Sequence, residues 1–505
     1  MTITFDQISG SQRAPGYLNE FALGTPPFSQ SMQVLIVGPV ATGAAVQTGV
    51  SQRPRDDLET AYGAGSLLGT MLNYAKLTRP GLDYRVLPLP DSGTKATLAV
   101  KVNTLPPVGT WPFWLFSNGR RRQITVTAAD TVNTVAAKIA AAVNTRVTLA
   151  GDGKSLVDMA SAAAATDTAT LTARNGGTVL NGTDWLSFES RGEISPLGAC
   201  CTLTFTPGTG APDLAAALAG VGTGYYAWVI SAYRDTASLA AIDAWLETQW
   251  GPQNMRYGWA VAGVVGSQGT LAALGDAMND RKRVLGGLRA SSEPEPIMAA
   301  CFGADLAFVF DFGRSITEVQ IFARGLTGRA MNYLTGPWKE DDVFSNEQRN
   351  LLYFDGISPL VPAEGKVQME RVITTYQRRA STGLEDISYL DINGPCIDAW
   401  TVQYQRHYVW NAHQNSSLVG DQEDAADGWT RPQDARKTYL SCYNDVIRRG
   451  KIVQDADAYE AALRVELSGD PVRLNTFQKI YRANPLYIMA NRTVVGELSP
   501  NAQAA

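Results

Sequence analysis

Histidine is almost missing from this chain. Its 505 residues include two, His407 and His413. Neither has an acid or cysteine at ligand spacing, and no serine sits in a Gly-x-Ser-x-Gly elbow. Histidine-dependent catalysis and a histidine metal site are therefore disfavoured. Cysteine is also scarce, at five: Cys200, Cys201, Cys301, Cys396 and Cys442. Adjacent cysteines rarely bridge and the others are scattered in apolar text, so a disulfide framework is not expected, which fits a reducing cytoplasm. Charge is thin. Charged residues make up 18% of the chain, against about 25% in an ordinary soluble protein. Such a surface fits a molecule that hides much of itself in partners. The net charge of −5 excludes a globally basic nucleic-acid binder. No apolar run is long enough to span a membrane, and the opening Met1-Thr-Ile-Thr-Phe-Asp-Gln lacks a signal-peptide pattern.

Several short motifs come close to known chemistry and miss it. Gly38-Pro-Val-Ala-Thr-Gly has phosphate-loop glycine spacing, but Ala44 and Ala45 stand where Lys and Ser/Thr are needed. It reads as a turn at a strand end. Gly63-Ala-Gly lacks the third glycine of a dinucleotide fingerprint and reads as close packing or a turn at a helix start. Arg120-Arg-Arg reads as a solvated loop, and Asp56–Asp57 and Asp341–Asp342 as helix starts. No catalytic residue, cofactor or metal ligand is assigned.

What is abundant is core material. Apolar residues make up 45% of the chain, enough for two to four domains at this length. Residues 1–30 are broken by Pro15, Gly16, Gly24, Pro26 and Pro27 and read either as a disordered tail or as an N-terminal arm ordered by adding a strand, Tyr17 to Leu23, to another sheet. Residues 31–91 hold a buried strand (Gln33-Val-Leu-Ile-Val-Gly), a helix over Asp56–Lys76 interrupted at Tyr62-Gly-Ala-Gly-Ser, and a strand from Tyr84. From 92 to 207 the text turns rich in Thr, Ala and Gly, with short strands and one helix at Val132–Val143. That shift implies an inserted β-rich domain. Residues 208–330 return to strands alternating with helices: a strand at Tyr226, a helix over Thr236–Trp250, a strand over Arg256–Val265, a helix over Thr270–Asn279, a helix from Pro294 and a strand at Leu306-Ala-Phe-Val-Phe. The expected class is multidomain α/β (α+β): a mixed sheet with flanking helices, an inserted β-rich domain and extended arms at both ends.

The next unit, 331–483, contains the most informative text. Val367 to Tyr376 alternates as a strand, and Leu384, Ile387, Leu390 and Ile392 follow near helical spacing after Ser381 or Thr382 as cap. A helix over Cys396–Trp410 and a polar loop over Asn415–Asp427 come next. Arg431 to Gly450 reads as a basic helix carrying Arg436, Lys437, Arg448 and Arg449, with Lys451 beyond it. The final stretch, 484–505, holds a late alternating run at Tyr487–Val495.

Leu351-Leu-Tyr-Phe-Asp-Gly-Ile-Ser-Pro, then Met369-Glu-Arg-Val-Ile-Thr-Thr-Tyr-Gln, then Asp386-Ile-Ser-Tyr-Leu-Asp-Ile, in that order, resemble the C-terminal core of contractile-tail sheath proteins of Mu-like phages. Pro15-Gly-Tyr-Leu-Asn-Glu-Phe and Tyr62-Gly-Ala-Gly-Ser resemble the same family near the N-terminus, and that resemblance implies the arm for residues 1–30. The resemblance implies a non-enzymatic subunit that polymerises with itself as stacked six-membered rings around an inner tail tube, meets baseplate and tail terminator proteins, and contracts to drive the tube through the host envelope. It implies a virion location, with assembly in the host cytoplasm, and neither nucleic-acid binding nor membrane insertion. It also assigns strand addition between subunits to Tyr17, Leu18, Asn19, Glu20 and Phe21, and to Tyr487, Ile488, Met489, Ala490, Arg492 and Val494. The tube-facing residues it implies are Arg436, Lys437, Arg448, Arg449 and Lys451. The competing readings are a nucleotide-using α/β enzyme and a non-contractile virion protein.

Overall fold

The structure, a computed structural model, describes residues 32–115, 120–148, 155–181, 185–190, 193–311, 326–336, 339, 341–363, 365–424, 426–491 and 493. Strand β1 (Gln33–Pro39) is followed by α1 (Leu58–Tyr62), α2 (Leu67–Thr78) and β2 (Asp83–Leu89). Then come β3 (Lys95–Val102), β4 (Gly109–Leu115), β5 (Arg120–Val126), α3 (Val132–Asn144), β6 (Ala160–Ala165), β7 (Thr168–Gly176) and β8 (Cys201–Thr206). The chain continues through β9 (Tyr226–Ser231), α4 (Thr236–Trp250), β10 (Trp259–Val265), α5 (Gln268–Asp276), β11 (Arg283–Leu288) and α6 (Glu295–Val309). It ends with β12 (Arg329–Thr335), α7 (Asn346–Phe354), β13 (Ser358–Ala363), β14 (Lys366–Met369), α8 (Asn393–His413), α9 (Pro432–Gly450), α10 (Ala456–Ala462), β15 (Arg464–Leu467) and β16 (Leu474–Phe477).

One eight-stranded sheet runs in the order β12-β14-β13-β11-β10-β9-β1-β2. From β2 to β13 its neighbours are parallel, and β14 is antiparallel to both β13 and β12, so the sheet is mixed. Its central strands β9 and β11 are buried throughout, as helices on both faces of a parallel sheet require. The strands between 95 and 206 take no part in it. There β8-β3-β7-β6 form an antiparallel sheet, β4 and β5 pair in another, and α3 packs beside them.

Two contacts fasten these smaller sheets to the main one. Asn175 of β7 is buried; its side-chain nitrogen donates to Val40 O (2.9 Å) and its oxygen accepts from Leu67 N (2.8 Å). Glu59 accepts from Arg146 (2.8 Å) and from Val157 N (2.9 Å). Here Tyr62-Gly-Ala-Gly-Ser shows its use. Gly63 and Gly65 have positive φ, a Cβ on Gly65 would lie 2.3 Å from Asp158 O, and Ser66 caps α2. The motif is a turn and a close approach between units at once.

Helix α6 lies at the centre. It is buried nearly all round, and β10 meets it at a glycine: a Cβ on Gly263 would lie 2.6 Å from Glu295 O and 3.0 Å from Ala299 N. Its buried charges are paired. Asp305 accepts from Arg79 Nε (2.7 Å) and Arg329 Nε (3.2 Å), and Glu295 from Arg234 Nη1 (2.9 Å). On β11 the fully buried Arg283 donates to Asp243 of α4 from Nε (3.0 Å) and Nη2 (2.5 Å), and from Nη2 to Leu239 O (2.7 Å).

Four expectations need correction. The strand read over Val367–Tyr376 is only β14, ending at Met369. Leu306–Phe310 is the end of α6 and not a strand. Arg120-Arg-Arg opens β5 and is no loop; Arg122 is buried against Asp158 at 3.0 Å. No helix follows Thr382: after β14 the chain makes an irregular excursion with bridges Ile373–Asp391 and Arg378–Glu385, and α8 starts at Asn393. Asp386 organises that excursion by accepting from Ser388 N (2.9 Å), Tyr376 Oη (3.0 Å) and Arg379 Nε (3.2 Å). Such local side-chain bonds compete with helix formation.

Candidate assembly surfaces

The C-terminal region is built on three helices. Tyr404 of α8 donates to Asp445 of α9, and Tyr443 of α9 stacks flat on Tyr459 of α10 with centroids 3.7 Å apart. Tyr443 Oη donates to Gln454 O (2.8 Å) and accepts from Tyr481 N (3.1 Å). Arg482 then makes a two-pronged pair with Asp398 of α8 (2.8 and 2.6 Å) and donates to Ser388 O (2.5 Å). Ala483 N donates to Ile452 O (2.9 Å).

Beyond Ala483 the character changes. Residues 484–491 belong to no helix or strand. Leu486, Ile488 and Met489 are 75%, 76% and 83% exposed, while Tyr487 turns back to the body. Of the residues assigned to strand addition, Tyr487, Ile488, Met489 and Ala490 lie in this segment. Tyr17, Leu18, Asn19, Glu20, Phe21, Arg492 and Val494 lie outside the described residues.

Strands β15 and β16 form an antiparallel hairpin of their own. Among the described residues no further strand pairs with either outer edge. Its Leu467 and Phe477 are exposed. Strand β15 leans on α9, and the hairpin's open edges are sites where another strand can add.

The basic helix is α9. Arg436 is turned to α10, donating to Glu460 O (2.8 Å) and pairing with its carboxylate (3.2 Å). Lys437 lies 3.7 Å from Asp434. Arg448 and Arg449 both pair with Asp445, at 2.5 and 2.8 Å. Lys451 is exposed and takes the left-handed conformation that closes the helix. Lys437 and Arg448 are separated by about three helical turns and share one line on the surface. The five cations thus form no single strip, because Arg436 serves the contact with α10.

His413 ends α8 between two hydroxyls, Nδ1 at 2.8 Å from Thr430 Oγ1 and Nε2 at 3.0 Å from Thr438 Oγ1. Burial holds its pKa below the ordinary imidazole value of 6.5, with Asp434 opposing. A base depressed in the folded state contributes stability above its unfolded pKa and loses it as pH falls through the folded pKa. The protection factors of amides over 414–430, taken against the intrinsic rate at each pH, are therefore expected to fall from about pH 7 to about pH 5, and His413→Gln is expected to flatten that dependence.

The five cysteines are free. Among the described residues no cluster of His, Cys, Asp and Glu is arranged to hold a metal ion, and no helix is long and apolar enough to cross a membrane. The seat of Tyr487 and the Arg482 clamp were not foreseen. Their partners are roughly 90 residues away, a separation that leaves no local pattern.

No family model matches the chain. It is 27% identical over 506 aligned positions to the Mu-like prophage FluMu tail sheath protein of Haemophilus influenzae, covering 97% of this chain and 99% of that one. Among solved structures, the sheath tail protein from Desulfitobacterium hafniense aligns with a TM-score of 0.44 and 13% identity, covering 92% of this chain and 100% of that one. The sheath tail protein from Listeria innocua aligns with a TM-score of 0.42 and 14% identity, covering 90% and 96%. The likeness first carried by Leu351–Pro359 and Met369–Ile392 thus extends over 97% of the sequence, and along that length the chain is similar to a Mu-like prophage tail sheath protein.

Proposed function

We propose that this chain is the structural subunit of a contractile phage tail sheath. Six subunits form a ring, rings stack around an inner tube, and the assembly ends at baseplate and terminator proteins. The polymer forms in the host cytoplasm, becomes part of the virion and contracts to push the tube through the host envelope. The full-length similarity to a protein named as a Mu-like tail sheath carries this reading.

The physics of the ends supports it. A segment leaving the body with exposed Leu486, Ile488 and Met489, in a chain that also offers the open-edged hairpin β15–β16, suits exchange of strands between copies. The same reading assigns residues 17–21 to the opposite arm. Main-chain bonds need no particular side chain, so such junctions persist while side-chain interfaces break and re-form. Energy is stored at assembly in an extended lattice, and contraction releases it without nucleotide hydrolysis. The domain division at 30, 91, 207, 330 and 483 belongs to this proposal, with 92–207 on the outer side. One sheet takes strands from three of those stretches, which suits their moving together.

Negative-stain microscopy of the purified protein tests the proposal. Wide, ridged, hollow cylinders are expected; closed shells or a persistent monomer at high concentration would overturn it. Tube contact is tested separately by changing Arg448, Arg449 and Lys451 to Glu. Exposed pairs contribute only about 0–1 kcal/mol each, so the fold is expected to survive. Tube-templated assembly is expected to fall severalfold, with the loss growing as salt is lowered. An unchanged yield of sheathed tubes would remove α9 from the tube contact.

A further inference from the structure

The contacts holding the C-terminal segment are graded. At its root, Arg482 forks onto Asp398, donates to Ser388 O and lies 5.0 Å over the Tyr389 ring. Ala483 adds a backbone bond to Ile452. Four residues further on, Tyr487 is held more weakly. Its hydroxyl accepts from Asn393 Nδ2 at 3.2 Å, and its ring lies 5.1 Å from the Arg371 guanidinium. That guanidinium is already committed to Asp391, with bonds of 2.8 and 2.9 Å. The seat is also incomplete: Asn393 is buried, yet its side-chain oxygen has no hydrogen-bond partner among the described residues. On either side of Tyr487, Leu486 and Ile488 face solvent.

We infer that Tyr487 is a releasable latch. It folds residues 484–491 back onto their own subunit before assembly and lets go when the segment joins a neighbouring copy. This rests on the strand-exchange reading above. The root at Arg482 keeps the segment attached in both states. The seat at Tyr487 consists of one neutral hydrogen bond and one cation–π contact, each weak enough to be exchanged for a ladder of main-chain bonds. An unlatched segment would expose its apolar residues to any sheet edge at hand, so the latch delays polymerisation and keeps it templated.

The test uses the full-length chain, purified as monomer. The time residues 484–491 spend detached from the body, read from backbone NMR relaxation, is expected to rise roughly tenfold in Tyr487→Ala, the change when a hydrogen bond and a cation–π contact are lost together. The lag before self-assembly, followed by light scattering, is expected to shorten severalfold. Tyr487→Phe, which keeps the ring and loses the hydroxyl, is expected to fall between the two. Unaltered backbone mobility in Tyr487→Ala would show that the side chain holds nothing and would overturn the latch. So would a lengthened lag, which would place Tyr487 in the assembled interface. A chain ending at Ala483 tests the strand-exchange reading on its own: if that chain polymerises normally, the arm reading fails whatever Tyr487 does.

Discussion

A chain ending at Ala483 is expected to fold and to stay monomeric. The cut falls after the root contacts that tie the tail to the body: the Arg482–Asp398 pair, Tyr481 on Tyr443, and the bond from Ala483 N to Ile452 O. Of the described residues it removes, 484, 486 and 488–491 are exposed, and Tyr487 makes the latch contacts. Thermal and urea transitions should therefore match those of the full chain closely. Assembly should not. A donated strand contributes several main-chain bonds at roughly 0.5–1.5 kcal/mol each, or about 4 kcal/mol per junction. That corresponds to a rise of about a thousandfold in the concentration needed for growth. Deleting residues 1–24 is expected to act alike. Sedimentation and microscopy across a concentration series measure both, and cylinders of normal yield from either truncation would sink the arm reading.

The second large effect is expected in the core. In Gly263→Ala the new Cβ would meet Glu295 O at 2.6 Å and Ala299 N at 3.0 Å. Both are main-chain atoms of α6, so no rotamer change relieves the clash; the helix must back away from β10. Overpacking of this kind costs about 1–3 kcal/mol. Gly263→Val, with two further methyl groups in the same space, is expected to yield insoluble protein. Gly269, in the first turn of α5, provides the control. A Cβ there has nothing within 4 Å, so Gly269→Ala is expected to be neutral or to stabilise by up to about 1 kcal/mol. Urea midpoints compare the three, and a neutral Gly263→Ala would mean that α6 does not sit this close to the sheet.

How much of this was legible depended on whether the cause lay within a few residues. The helix read at Thr236–Trp250 is α4, because Asp235 caps it by accepting from Ser238 N. Gln33–Gly38 was readable as a buried strand because an unbroken apolar run with β-branched residues fits a sheet covered on both faces. Leu306–Phe310 was misread for the mirror reason. Helix α6 is buried on all sides, so it shows no polar face, and a short apolar run does not distinguish strand from helix. Leu384 and Ile387 had helical spacing but stand 69% and 70% exposed in an excursion organised by Asp386. The candidate assembly surfaces were proposed only through family wording. The spacing within the segment marks Tyr487 as one alternating residue among others; its difference from Ile488 comes from Asn393 and Arg371, which the chain brings close only by folding.

Strand β1 has a neighbour on each side, and they arrive at very different times. It pairs with β2 shortly downstream, but on its other edge Ile36 meets Ile230. About 200 residues separate those partners. At ribosomal rates of roughly 5–20 residues per second, one edge of β1 waits about 10–40 s for its match. During that interval the smaller sheets over 95–206 emerge and can close, while an apolar ribbon stays half-dressed. Recombinant yield should therefore respond to slower translation, lower temperature or added chaperone more than to changes in the polar surface.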